Sequence, residues 1–145
     1  MSQQITSANA SIYLTCETLY PSGFRVQNFS ADAAVASDDL TLAEARMGVD
    51  GHLAVGYTPA PINITITLEA NSPSRSKFEN IAAASRINMK AYECDLLVTI
   101  PALSKTYNYK NGYLMTGHIM PDAKKVLDPT SWKFVFESVE VSSIE

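Results

Sequence analysis

"PINITITLEANSPSRSKFENI", residues 61–81, carries the clearest local instruction in the chain. Ile62, Ile64, Ile66 and Leu68 alternate with Asn63, Thr65, Thr67 and Glu69. Successive side chains of a strand point to opposite faces, so the alternation predicts a strand over 62–69 with one buried and one wet face. Just beyond it, Ser72 can cap a helix with Pro73 at its first position, and Ser76 with Glu79 offers a capping box one turn later. Phe78, Ile81, Ala82, Ser85 and Met89 recur at helical spacing, leaving Lys77, Glu79, Arg86 and Lys90 for the solvent side. The expected unit is a strand that runs into a helix lying against a sheet.

On the N-terminal side, "SIYLTC" (11–16), "FRVQNF" (24–29) and "LTLAEARM" (40–47) alternate with the period of strands. "YPSG" at 20–23 reads as the turn between the first two, through Pro21 and Gly23. "VDGH" places Asp50 and Gly51 where a two-residue hairpin turn needs positive φ, so 40–49 and 52–58 are expected to fold back on each other. "SADAAVASDD" (30–39) has no period and reads as a loop of the length that often carries contacts. On the C-terminal side, strands are expected at 93–100, 105–109, 112–120 and 132–144, with "YKNGY" a second hairpin signal. In the last run the apolar parity shifts from Trp132, Phe134 and Phe136 to Val139 and Val141, which predicts a bulge near Glu137 and Ser138.

A chain of 145 residues suits one domain, 1–145. No apolar run approaches the roughly 20 residues of a membrane-crossing helix, and the N-terminus lacks the basic start and apolar block of a secretory signal. A net charge of −4 argues against a protein that grips nucleic acid through clustered Lys and Arg.

Catalytic signals are thin. His52 and His118 stand apart, without acidic or cysteine partners at ligand spacing, so no metal or other cofactor is expected. Cys16 and Cys94 lie in strand-like runs outside any CxxC pattern and read as reduced, buried thiols. Asp50 has a turn to form, Asp38 and Asp39 sit in the acidic loop, and "GVDGHLAVG" lacks the Lys-Ser/Thr of a phosphate loop. Tyr107, Tyr109 and Tyr113 could stack bases but have no interleaved basic cluster, which favours sheet packing.

The order of "SGF", a long loop, "GVDGH", the strand-to-helix segment "PINITITLEANSPS…FENI" and a late "WKFVF" strand resembles the tail tube proteins of contractile-tailed bacteriophages. The resemblance covers residues 22–82 and extends weakly to the C-terminal strand. It implies a mainly β fold with one α-helix, a β-sandwich or partly rolled β-barrel of tail-tube type. It further implies a non-enzymatic virion protein that forms homohexameric rings stacked into a hollow tail tube for genome delivery, assembled in the host cytoplasm. Tail sheath, baseplate and tape-measure proteins are the implied partners, and DNA would pass without specific binding. Asn63, Thr65, Thr67 and Glu69 are then candidates to line the channel. Asp38, Asp39, Met47, Asp50, Gly51 and His52 are candidates for contacts between subunits or rings. A tail-completion, baseplate or secretion-system tube ring protein is the near alternative. A small enzyme using Cys94 or His118, or a monomeric ligand-binding β-domain, is the alternative of a different class.

Overall fold

The computed structural model describes residues 10–27, 35–117, 119–120, 123 and 126–143. Within them run β1 (Ser11–Cys16), β2 (Tyr20–Arg25), β3 (Val35–Ser37), β4 (Ala43–Met47), β5 (Leu53–Tyr57), β6 (Ile62–Leu68), α1 (Arg75–Asn88), β7 (Glu93–Ile100), β8 (Lys105–Gly117) and β9 (Thr130–Ser143). The expected mainly β fold with one helix is the fold observed. Seven strands form one antiparallel sheet in the order β2-β1-β7-β8-β9-β6-β3, and β4 pairs with β5 alone.

All the large inner side chains lie on one face of the main sheet. Ile12, Leu14, Ile64, Ile66, Leu68, Leu96, Trp132, Phe134 and Phe136 are buried there, and α1 adds Phe78 and Ile81. The sheet curls around this core. The Phe24 and Trp132 rings lie 5.9 and 5.6 Å from the Phe78 ring. Their strands, β2 and β9, are four places apart in the sheet, which would set them roughly 19 Å apart if it were flat. The sheet is therefore partly rolled, with β2 and β3 as open edges.

Several local expectations are corrected. "YPSG" is not a turn: it lies inside β2, and the chain reverses at 17–19. Gly23, at φ 75°, sits where a side chain would strike Tyr13 and Thr15, beside the irregular register between Leu14 and Cys16. Of the loop expected at 30–39, residues 35–37 are β3 on the flank of β6, and residues 30–34, like Asn28 and Phe29, lie outside the described residues.

"YKNGY" is no hairpin either, because Asn111 and Gly112 belong to the single 13-residue strand β8. Asn111 takes the left-handed conformation at φ 56° and its N–H donates to Asp95 Oδ1 at 3.0 Å. This marks a bulge opposite β7, whose register shifts between Cys94 and Leu96. Gly112 is needed because a Cβ there would lie 2.1 Å from the Phe136 ring. The parity change of β9 has the same origin. Phe136 and Ser138, on either side of Glu137, keep the same register with β8, and the shift on that side falls between Leu114 and Thr116. Both strands turn over together, from Tyr109 to Gly112 and from Phe136 to Val139.

The helix begins at Arg75, after Ser74, which makes no side-chain cap. Ser72 Oγ accepts from Ser74 N at 3.2 Å, a cap-type bond just ahead of the helix, and the hydroxyls of Ser72 and Ser74 also tie the helix start to the end of β2. Ser72 Oγ donates to Gln27 O, Gln27 N donates to Ser74 Oγ at 2.9 Å, and Ser74 Oγ donates to Arg25 O at 3.4 Å. Glu79 pairs with Arg75 at 2.6 Å rather than closing a box with Ser76.

Candidate assembly surfaces

Two surfaces gather the candidate residues. The first is the outer face of β6. Asn63 is exposed and Thr65 and Thr67 are half-buried, while Ile62, Ile64, Ile66 and Leu68 point into the core. On β9, Val135, Lys133 and Ser131 lie opposite Asn63, Thr65 and Thr67, and Thr67 Oγ1 is 3.3 Å from Ser131 Oγ. The wall is thus polar, with the Lys133 charge beside Thr65. Glu69 lies past the end of the strand, and its carbonyl accepts from Ser72 N at 3.0 Å in the turn toward α1. Asp38 joins this surface, its N–H donating to Asn63 O at 3.1 Å, and Asp39 follows it, exposed.

The second surface is the β4–β5 hairpin. Its tip differs from the two-residue turn expected. Gly51 N donates to Gly48 O at 3.0 Å and Gly48 N to His52 O at 2.8 Å, so the turn carries Val49 and Asp50 at its centre. Gly51 alone of Asp50 and Gly51 has positive φ, 88°, and Asp50 Oδ1 accepts from His52 N at 3.2 Å. This is the type I turn followed by a left-handed residue that three-residue hairpin loops favour. Met47, Asp50, Gly51 and His52 are all exposed around this tip. The structure therefore separates the two aspartates at 38–39 from the other four contact candidates.

Sequence reasoning missed the face of this hairpin. The register sets Ala43 opposite Tyr57, Ala45 opposite Val55 and Met47 opposite Leu53, so all six project from one side, while Glu44, Arg46, Ala54 and Gly56 project from the other. Every residue of both strands is exposed; Met47, Leu53, Val55 and Tyr57 show 63, 60, 62 and 81 % of their surface. The signal was present as the alternation of Leu53, Val55 and Tyr57, but alternation alone does not say what covers a face. A two-stranded ribbon is marginally stable by itself in water.

Chemistry elsewhere is sparse. Among the described residues no group of three or more His, Cys, Asp or Glu is placed to hold a metal, and His118 lies outside them. Cys16 and Cys94 are free and buried. Burial pushes the Cys94 thiol well above its ordinary value, and the neighbouring Cys16 adds to the effect. Burial also raises the Tyr109 phenol, with Tyr107 adding and Ser37 opposing. No helix among the described residues is long and apolar enough to cross a membrane.

The family model described as "Tail fiber protein gp32" matches residues 3–140. The chain belongs to this tail fiber protein gp32 family. Solved structures extend the likeness at the level of fold. A chain from the sheath/tube terminator of the extracellular contractile injection system PVC in its extended state superposes with a TM-score of 0.69 at 10 % identity, covering 99 % of both chains. A chain from the six-fold symmetrised baseplate of the anti-feeding prophage gives 0.63 at 9 % identity, over 100 % of this chain and 99 % of that one. A chain of the PVC sheath-tube complex gives 0.59 at 11 % identity, over 97 and 93 %. No curated protein sequence matches. The gp32-family chain is a tail-tube-like protein in fold, as its sequence led us to expect.

Proposed function

We propose that this gp32-family protein is a structural, non-enzymatic tail component that assembles with copies of itself into rings of the tail-tube type. The rings are hexameric and stack into, or terminate, a hollow tube through which the genome is delivered. The observation that carries this reading is the β4–β5 hairpin, which exposes a continuous apolar face. Fully burying a side chain such as Leu, Val or Met contributes roughly 1.5–3 kcal/mol, whereas association costs about 4–15 kcal/mol in lost freedom. One hairpin contact is therefore marginal, and a closed ring in which every copy both gives and receives a hairpin is the arrangement that makes it persist. The sheath-tube, terminator and baseplate assemblies that contain the fold neighbours support the same reading and point to sheath and baseplate as partners; the tape-measure protein inside the tube rests on the tail-tube resemblance of the sequence alone.

Within that ring, the outer face of Asn63, Thr65 and Thr67 lines the channel, with Glu69 at its margin. This face carries hydroxyls, an amide and a single cation, Lys133, rather than a basic cluster, so DNA passes without being held. Asp38 and Asp39 then face the neighbouring subunit, and Met47, Asp50, Gly51 and His52 the adjoining ring. Sedimentation and electron microscopy of the purified chain across a concentration series test the assembly, with rings or tubes expected; a strict monomer at high concentration sinks the reading. Thr65→Lys with Thr67→Lys tests the channel, because those substitutions beside Lys133 should leave rings intact and slow genome ejection. Normal ejection through fully assembled variant particles would remove this face from the channel.

A further inference from the structure

The register of β1 on β7 sets Cys16 directly opposite Cys94. Backbone bonds identify the kind of opposition. Glu17 N donates to Glu93 O at 3.4 Å, one step beyond the two cysteines, and Val26 N donates to Ile12 O at 2.7 Å, which turns the polar groups of Ile12 toward β2 and those of its odd-numbered neighbours toward β7. Cys16 and Cys94 therefore occupy a non-hydrogen-bonded pair, where α-carbons approach to about 4.5 Å and side chains meet most closely. A disulfide spans α-carbon separations of about 4.4–6.8 Å. Both side chains point to the core face, at 0 and 1 % exposure, and the Cys94 thiol now donates to Tyr92 O at 3.6 Å.

We infer that Cys16 and Cys94 are a latent redox staple, which exchange with a small-molecule disulfide converts into a cross-strand disulfide that pins the β1–β2 ribbon to β7. The thiolate of one cysteine attacks a sulfur of oxidised glutathione, forming a mixed disulfide and releasing one glutathione thiolate. The other cysteine, its proton lost to solvent, attacks the protein sulfur of that mixed disulfide, and the second glutathione leaves. Two protein thiols are oxidised and one glutathione disulfide is reduced to two thiols. Access is set by the fold. β2 is an edge of the sheet and β1 lies next to it, so peeling of this ribbon exposes both sulfurs together. While the ribbon is closed, burial keeps the thiols protonated and out of reach, and the pair stays reduced.

The test incubates the full chain with oxidised glutathione, without urea and at urea concentrations below the unfolding midpoint, followed by thiol blocking and peptide mapping. The expected product is a linked Cys16–Cys94 peptide two hydrogens lighter than the thiol pair, forming faster as urea rises. The joined protein should melt higher by roughly 5–15 °C, and reductant should abolish the gain. Cys16→Ser should show no gain under the same treatment. Glutathione adducts without a joined product, a joined product that melts no higher, or a gain that persists in Cys16→Ser each overturn the inference.

Discussion

Strands β5 and β6 are separated by only a few residues and share one pattern, apolar side chains at every second position, yet they meet opposite fates. Ile62, Ile64, Ile66 and Leu68 are between 0 and 8 % exposed, whereas Leu53, Val55 and Tyr57 are between 60 and 81 % exposed. The difference lies in neighbours. β6 is clasped between β3 and β9 and faces α1 across the core, while β5 has only β4 beside it. Period two fixes that a segment is a strand and which side chains share a face. Whether the same chain covers that face depends on topology, and an apolar face left bare is an interface in waiting.

The comparison can be broken most severely in the core. Ile66→Ala removes a fully buried side chain between Val35 and Trp132 and should cost about 2–5 kcal/mol, measured by chemical denaturation; a loss below 1 kcal/mol would mean that the β6 face is not the core. Gly112→Ala comes next, because its Cβ would meet the Phe136 ring at 2.1 Å and force repacking worth about 1–3 kcal/mol. A loss below about 0.5 kcal/mol in the same measurement would remove the Phe136 ring as the reason for glycine at this position.

The hairpin tip supplies a smaller contrast. A Cβ on Gly51 meets nothing within 4 Å, so Gly51→Val carries only the conformational cost of a β-branched residue at positive φ, about 1–3 kcal/mol of local hairpin stability. Asp50→Asn keeps the turn's acceptor and should cost a few tenths. Amide hydrogen exchange of residues 43–57 separates the two, and equal damage would point to a role for the carboxylate itself. The smallest expected effect on folding is the most informative. Val55→Ser with Tyr57→Ser should move the denaturation midpoint within about 0.5 kcal/mol, as surface changes do, and yet abolish rings by sedimentation. Intact rings would return the hairpin to the status of an ordinary surface loop.

These contrasts also show what could be read in advance. β1 and β7 lie at 11–16 and 93–100 as their alternation predicts, and β6 ends one residue early, because period and burial agree in all three. The two turn dipeptides diverged. Asp50–Gly51 closes a hairpin but Asn111–Gly112 does not, since the left-handed conformation that each favours also serves a bulge, and the choice is made by Asp95 and Phe136 on strands distant in sequence. Ser72 was legible only in part, since its hydroxyl accepts from Ser74 N as a cap would and is also drawn, with that of Ser74, to the end of β2 by packing that no local motif records. Of the candidate contact residues, the turn was visible in the chain, but the apolar side of the hairpin became visible only once register and exposure were known.

The position of β9 has a consequence for how the molecule is made. It is the last of the described strands to leave the ribosome, yet it lies inside the sheet, between β8 and β6. Until it arrives, β6 and β3 have no connection to the β2-β1-β7-β8 half, and the isoleucines of β6 stay as bare as the apolar side of the hairpin. A nascent chain thus displays two sticky surfaces, and completion of β9 hides one of them. On the proposed reading of the hairpin as the self-recognition surface, recognition becomes selective only after synthesis of that strand, which would order folding before assembly without any separate signal.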